Sequence, residues 1–236
     1  MLLEELRKDV CDANKDLERF NLVLMTWGNV SGIDREKGLM VIKPSGVPYA
    51  DLTPERMVVV DRHGAVVEGS LNPSSDAPTH LVLYAEFPEI GGITHTHSIH
   101  ATAFAQAGRP IPCLGTTHAD HFRGEIPVTR ALRKPEIEAH YERNTGLVIV
   151  ERFTRMEPIE MPAVLVANHG PFTWGRTPRD SVLNSLALEA VAAMALRTLQ
   201  LAPDASPAPS ILQDKHFLRK HGKTSTYGQR RHDERS

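Results

Sequence analysis

Cysteine is nearly missing from this chain: Cys11 and Cys113 are the only two in 236 residues. Two thiols cannot build a disulfide framework, so an ordinary core must hold the fold, and a reducing compartment is the simpler setting. An excess of one charge sign is missing too. The formal net charge is −2, which gives no electrostatic reason to expect nucleic acid or an anionic membrane. Only the stretch from Lys215 to Arg235 is locally basic. No uninterrupted apolar run approaches the roughly 20 residues that span a bilayer. The N-terminal MLLEELRKDVCDANKDLERF carries acids where a signal peptide needs an apolar segment. Internal repeats are absent as well. These absences lead to the expectation of a cytoplasmic protein with no nucleic-acid or membrane partner.

What is present is a mixture of short strands and helices. Residues 3–20 repeat apolar positions at helical spacing (Leu3, Leu6, Val10, Ala13, Leu17), which predicts a first helix. LMTWGNVSGID, GLMVIKPSGV, MVVVDRHG and AVVEG read as strands broken by Gly, Pro and Asp turns. APTHLVLYAEF (77–87) reads as a helix with Ser74, Ser75 or Asp76 as N-cap and Pro78 in its first turn. IGGITHTH then reads as a buried strand and SIHATAFAQAG as a helix ending on Gly108. LVIVERF and AVLVANHG are two further strand candidates, and 180–201 is a long amphipathic helix. APDASPAPS (202–210) is a linker followed by a polar tail. The expected fold class is α/β, with one catalytic domain over 1–201. Residues 202–236 form a linker and C-terminal extension whose last residues are expected to be disordered.

His95 and His97 stand two apart in the predicted strand ITHTH. Side chains at that spacing share a face, so both imidazoles can converge on one ion; the competing reading is a solvent-exposed strand end. Asn168-His169-Gly170 closes another apolar strand and brings a third imidazole to a strand end. Asp76 sits at a helix start, where a carboxylate either caps the helix or faces a cation. Three imidazoles and one carboxylate suit zinc or a neighbouring divalent metal, in an arrangement with room for substrate. His100 falls on the following helix and reads as structural.

Three turns offer groups that suit an anion. Lys43-Pro44-Ser45-Gly46 supplies a cation, a hydroxyl and a glycine that lets backbone N–H groups turn inward. Ser74 and Ser75 place two hydroxyls at a helix N-terminus. Gly28-Asn29 is a third polar turn. Each alone suits an ordinary turn; together they suggest a phosphomonoester site.

With TWGN, KPSG, SSD, HTH and NHG in place, the sequence resembles the class II aldolase/adducin family, from about residue 3 to about Gln229. Within it, GTTHADHFRGEIPVTR and DKHFLRKHG…YGQ resemble the branch that epimerises a ketopentose phosphate at C4. The resemblance implies a central, mainly antiparallel sheet flanked by helices in three layers, assembled as a homotetramer with active sites at subunit interfaces. It implies one divalent ion per subunit on Asp76, His95, His97 and His169, zinc first, with manganese or cobalt as alternatives. Gly28, Asn29, Lys43, Ser45, Gly46, Ser74 and Ser75 match its substrate phosphate positions. Asp120 and Tyr227 match its acid/base pair, and Thr116 and His216 match positions reaching the site from a neighbouring subunit. His121 stands where an aromatic residue is expected.

The implied reaction interconverts L-ribulose 5-phosphate and D-xylulose 5-phosphate, in L-arabinose use or in a pathway for ascorbate or xylulose. C4 is not α to the carbonyl, so simple proton abstraction does not reach it. Cleaving C3–C4 does, because the electrons left on C3 delocalise as an enediolate that a metal stabilises. The alternative is a sugar-phosphate aldolase, such as one acting on L-fuculose 1-phosphate. Those aldolases carry Glu where this chain has Asp76, and lack the TTHAD and YGQ segments. An adducin-like scaffold without the metal histidines fits worse, since all three histidines are present.

Overall fold

The structure, a computed structural model, describes residues 1–222. In chain order its elements are α1 (Glu4–Arg19), β1 (Asn29–Asp34), β2 (Leu39–Ile42), β3 (Val58–Asp61), β4 (Val66–Glu68), α2 (Ala77–Glu86), β5 (Gly92–His95) and α3 (Ile99–Gln106). There follow α4 (Thr116–Ala119), α5 (Lys134–Glu138), α6 (Tyr141–Arg152), β6 (Ala163–Leu165), β7 (Pro171–Gly175), α7 (Pro178–Leu201) and α8 (Ser210–His221). The strands form one sheet in the order β4-β3-β2-β1-β5-β7-β6. Every ladder between them is antiparallel.

The two-residue period of the strands splits the core into two layers. Val30, Val41 and Val59 point to one face and pack against Val10, Ala13 and Leu17 of α1. Met40, Ile42, Val58, Val60 and Ile93 point to the other, against Leu83 and Tyr84 of α2 and Ile149 of α6. This is the three-layer arrangement that the resemblance implies.

Glycine sets the geometry of the α1 face. Gly32, Gly92 and Gly175 are register partners on β1, β5 and β7. A methyl group on Gly92 would stand 2.4 Å from the Pro178 backbone and from the Thr177 carbonyl, and one on Gly175 would stand 2.4 Å from Asp180 Cβ. The start of α7 therefore lies on bare sheet backbone. A reciprocal cap stops it fraying: Asp180 N–H donates to Thr177 Oγ1 and Thr177 N–H to Asp180 Oδ2, each at 3.1 Å. Beside the row, Ser181 Oγ meets Thr94 Oγ1 at 2.7 Å, and Thr173 Oγ1 donates to the Ser181 carbonyl. From there α7 runs across β7 and β6 to reach α3. By length and composition α7 is apolar enough to cross a membrane, though Arg179, Asp180, Glu189 and Arg197 interrupt it; here Val182, Leu188, Val191 and Ala192 are buried in the protein core.

One local expectation fails for tertiary reasons, and two elements are ones that the sequence pattern did not signal. LVIVERF is not a strand but the second half of α6. Its run of Val and Ile reads as β, yet Thr145, Gly146, Val148 and Ile149 are its buried residues, at helical spacing. Gly146 lets α6 press on α2, since a methyl there would stand 2.7 Å from Val82 Cβ. PFTWG, with Pro and Gly at its ends, is the fully buried strand β7. The polar tail contains a helix, α8, held by charge rather than by an apolar face; Phe217 is its one buried side chain.

Gly92→Ala is expected to destabilise the protein by about 3 kcal/mol or more, the cost of forcing atoms into a filled space. Gly115→Ala, where a methyl meets nothing within 4 Å, should stay within about 0.5 kcal/mol. Urea unfolding midpoints of the two variants check this.

Candidate active site

The far face of the sheet, at one end of its central strands, carries the polar residues. Asn29 opens β1, His95 closes β5 and Phe172 lies near the start of β7, and these three are register neighbours. Asn14 of α1 fixes this corner from behind. Its Nδ2 donates to the Val30 carbonyl and its Oδ1 accepts from the Val30 N–H.

His95 is buried with its ring stacked on Phe172, centroids 4.2 Å apart. Its Nδ1 lies 2.9 Å from the Pro171 carbonyl, which can only accept, so Nδ1 donates there and Nε2 is the nitrogen that faces the other rings. His97 is not on the strand, which ends at His95. Past Thr96, whose N–H donates to the Pro171 carbonyl, the exposed His97 ring places Nε2 3.1 Å from His95 Nε2. His169 enters from the tight β6–β7 turn, after Asn168 in the left-handed region at φ 61°. The turn packs closely: a methyl on Gly170 would stand 2.8 Å from the Thr96 carbonyl. Donor nitrogens of His95, His97 and His169 all lie within 4.8 Å of one another. Burial, and then the neighbouring rings, push His169 down to about 3 and lower His97. At neutral pH both rings are therefore uncharged, the form that binds a cation.

Asp76 occupies the N-cap position of α2, yet its side chain makes no cap bond. Its Oδ2 accepts from Asn29 Nδ2 at 2.6 Å instead. Burial alone would raise its carboxyl; the His95 and His80 imidazoles and the Asn29 bond outweigh that and hold it below the usual range. Asp76 stands beside the three imidazoles but outside the group that converges within 4.8 Å. Three converging imidazoles with a carboxylate at hand fit a borderline divalent ion.

The same cavity, about 610 Å³, is lined by Gly28, Asn29, Lys43, Ser45, Gly46, Ser74 and Ser75, a volume suited to a small ligand. Lys43 is 2% exposed. Its Nζ lies 3.3 Å from the Pro44 carbonyl and 5.0 Å from the Tyr49 ring centre. Among the described residues no carboxylate forms an ion pair with it. Burial pulls its ammonium down to about 8. Gly28 and Gly46 adopt positive φ, at 107° and 69°, which turns the backbone there in a way other residues resist. The bridge between Pro44 and Pro73, with the Ser74 N–H donating to the Lys43 carbonyl, brings the two serine-bearing turns side by side.

Thr116, Asp120 and His216 are not brought to this cavity within one chain. Asp120 closes α4, where α8 grips it. Arg219 donates to Oδ2 at 2.7 Å and to Oδ1 at 3.0 Å, and His216 Nδ1 lies 3.1 Å from Oδ1. Burial would raise the Asp120 carboxyl, but the Arg219 and His216 bonds hold it below its usual value. Tyr227 lies outside the described residues. His100 bonds to Glu189, away from the ion-binding group.

Sequence reading missed several residues here. Tyr141 and Glu142, at the start of α6, line the cavity, with Tyr141 Oη 3.4 Å from His169 Nδ1. Trp27 also lines it, its ring 6.5 Å from that of His97. His80 is buried one turn after Asp76, with Nδ1 2.7 Å from Ser31 Oγ; burial lowers it to about 3. Only its i+4 spacing from Asp76 could have signalled it.

Residues 8–196 match the Class II Aldolase and Adducin N-terminal domain. The chain is 53% identical over 228 residues, covering 97% of it and all of its relative, to L-ribulose-5-phosphate 4-epimerase UlaF of Salmonella paratyphi C (strain RKS4594). The same figures hold for the protein of that name from Salmonella typhi. Among solved structures, an L-fuculose 1-phosphate aldolase superposes with a TM-score of 0.71 at 26% identity, over 90% of this chain and 94% of that one. The l-fuculose-1-phosphate aldolase from Thermus thermophilus gives 0.65 at 25% identity, over 86% and 98%.

Asp120→Asn is expected to loosen α8, because it removes the charge that Arg219 and His216 share. The loss should be about 2 kcal/mol for charged hydrogen bonds. Faster proteolytic cleavage within residues 202–209, with unchanged cleavage elsewhere, checks it.

Proposed function

The chain belongs to the class II aldolase and adducin family, and on that premise we propose that it is an L-ribulose-5-phosphate 4-epimerase. The observation that carries the reading is a single cavity holding both the imidazole group and Lys43, a buried cation with no carboxylate in ion-pair reach among the described residues. The 53% identity to UlaF along nearly the whole chain supports the epimerase over the aldolase.

Each group has a task in that reaction. Lys43, Ser45, Ser74, Ser75, Asn29 and the turns at Gly28 and Gly46 hold the phosphate, so the fragment that carries it can turn without leaving. C3–C4 cleavage leaves an electron pair on C3, which spreads onto the C2 oxygen as an enediolate, and releases glycolaldehyde phosphate within the site. A divalent ion, which we take to be zinc with manganese or cobalt as substitutes, would be held by His95, His97, His169 and Asp76 and would supply Lewis-acid stabilisation of the developing negative charge. The aldehyde presents its other face and C3 attacks it, reforming the bond with C4 inverted. The C4 hydroxyl loses its proton on one face and regains one on the other. We assign these transfers to Asp120 and Tyr227, with Thr116 and His216 beside Asp120.

Asp120 does not line the cavity of its own chain, so we propose a homotetramer in which α4 and α8 of one subunit complete the cavity of the next. Two free, buried thiols suit a cytoplasmic setting.

The deciding experiment supplies L-ribulose 5-phosphate in heavy water and follows the products. D-xylulose 5-phosphate without deuterium at C4 is the expected result; deuterium there would refute cleavage, and free dihydroxyacetone with glycolaldehyde phosphate would favour the aldolase. A second test mixes inactive Asp120→Asn and His97→Ala chains under subunit exchange. Shared sites should restore about a quarter of wild-type activity, the share of random interfaces with both halves intact; no recovery would place the whole site in one chain. The pH dependence follows Lys43. Its charged form binds phosphate, so substrate affinity should be full below pH 7 and fall as pH rises through about 8. In Lys43→Met that fall in kcat/KM should vanish, along with most of the affinity.

A further inference from the structure

His95 and His169 each have a polar group behind the metal-facing ring nitrogen: the Pro171 carbonyl at 2.9 Å and Tyr141 Oη at 3.4 Å. His97 has none; its one ring hydrogen-bond contact among the described residues is His95 itself. It is also the exposed member of the group. Something else must hold its ring in place, since ligand orientation normally depends on such outer partners.

The chain on either side of His97 shows what does. Behind it, Thr96 is buried, its N–H donates to the Pro171 carbonyl at 3.4 Å, and its carbonyl abuts Gly170. Ahead of it, α3 begins at Ile99, and its N-cap residue Ser98 makes no side-chain cap bond. The first-turn donors go to α7 instead. His100 N–H donates to Glu189 Oε1 at 2.9 Å and Ala101 N–H to Oε2 at 3.0 Å. His100 Nδ1 lies 2.7 Å from Oε1. Glu189 therefore does from 88 residues away what an N-cap side chain does locally, and its charge faces the positive end of the helix dipole. Asn168 N–H donates to the Ala105 carbonyl in the last turn of the same helix, tying the His169 turn to it.

We propose that Glu189 is a positioning residue that aims His97 at the ion by capping α3, an inference that rests on reading the imidazole group as a metal site. His97 stands less than one helical turn before the capped His100. With Thr96 held on one side and His100 on the other, the intervening backbone has little freedom and the imidazole is presented in one orientation. Without the carboxylate, two helix N–H donors lose their partner and the 97–99 segment relaxes.

The test measures Co²⁺ affinity of the full chain by chelator competition, together with the visible absorption of the bound ion. Glu189→Ala should weaken affinity about 10- to 100-fold, the usual effect of losing an outer-shell partner, and should alter the spectrum. Glu189→Gln, which keeps one acceptor for the helix donors, should recover part of the loss. His100→Ala leaves both backbone bonds to Glu189 and should stay near wild type. Leu17→Ala, buried on the opposite face of the sheet, controls for general destabilisation and should leave affinity unchanged. A folded Glu189→Ala chain with wild-type affinity and spectrum would overturn the proposal, as would an equal loss in Leu17→Ala. If Glu189→Ala does not fold, Glu189→Gln decides, and wild-type affinity there overturns it. A wild-type chain whose Co²⁺ binding is unaffected by His97→Ala would instead refute the metal site itself.

Discussion

Contact between the bare backbone of three neighbouring strands and the first turn of α7 is the constraint on which the rest of this structure depends. Gly32, Gly92 and Gly175 leave no room for a side chain between sheet and helix. Once α7 and α1 occupy that face, the alternation of side chains along β1, β5 and β7 determines what appears on the other. Gly92 and Thr94 point to α7, so Ile93 and His95 point away. Thr173 and Gly175 point to α7, so Phe172 and Trp174 point away. The packing that builds the core on one side thereby assembles His95, Asn29 and Phe172 at one corner of the other.

Two kinds of chemistry meet at that corner. His97 and His169 are kept neutral by burial and by the neighbouring rings, while Lys43 is buried with an aromatic ring and a carbonyl for company. A buried cation without a carboxylate favours an anion that brings its own negative charge. The residue proposed for acid/base chemistry stands elsewhere. Asp120 is held as a carboxylate by Arg219 and His216 on the helix that follows the Pro- and Ala-rich linker. Within one chain the two clusters are separate, which is why the proposed site calls for a second subunit.

The outlines of α1, β5, α2 and α7 were legible because their patterns are local: apolar residues at helical spacing, a strand bounded by glycine, Pro78 in a first turn. LVIVERF misled because a β-branched run has the same composition in either state, and contact through Gly146 with α2 decided between them. The helix in the tail was hidden because its anchor, Asp120, lies far earlier in the chain. The expectation that His95 and His97 share a face reached the right neighbours, although the strand itself ends at His95.

The sequence by itself determined the inventory: three histidines next to strand ends, a lysine and two serine turns suited to phosphate, an acid in THAD, and motifs specific enough to name the family. Those are statements about residue types and short spacings, which a single chain of letters carries in full. Only the tertiary structure decided that Asp76 leaves its helix uncapped to meet Asn29, that His80 and Tyr141 stand around the cavity, and that Glu189 caps the helix following His97. Each of these joins residues far apart in the chain: Asp76 to Asn29, His80 to Ser31, Tyr141 to His169 and Glu189 to His100. No local pattern encodes such a contact, because its energy exists only once the sheet and helices have packed.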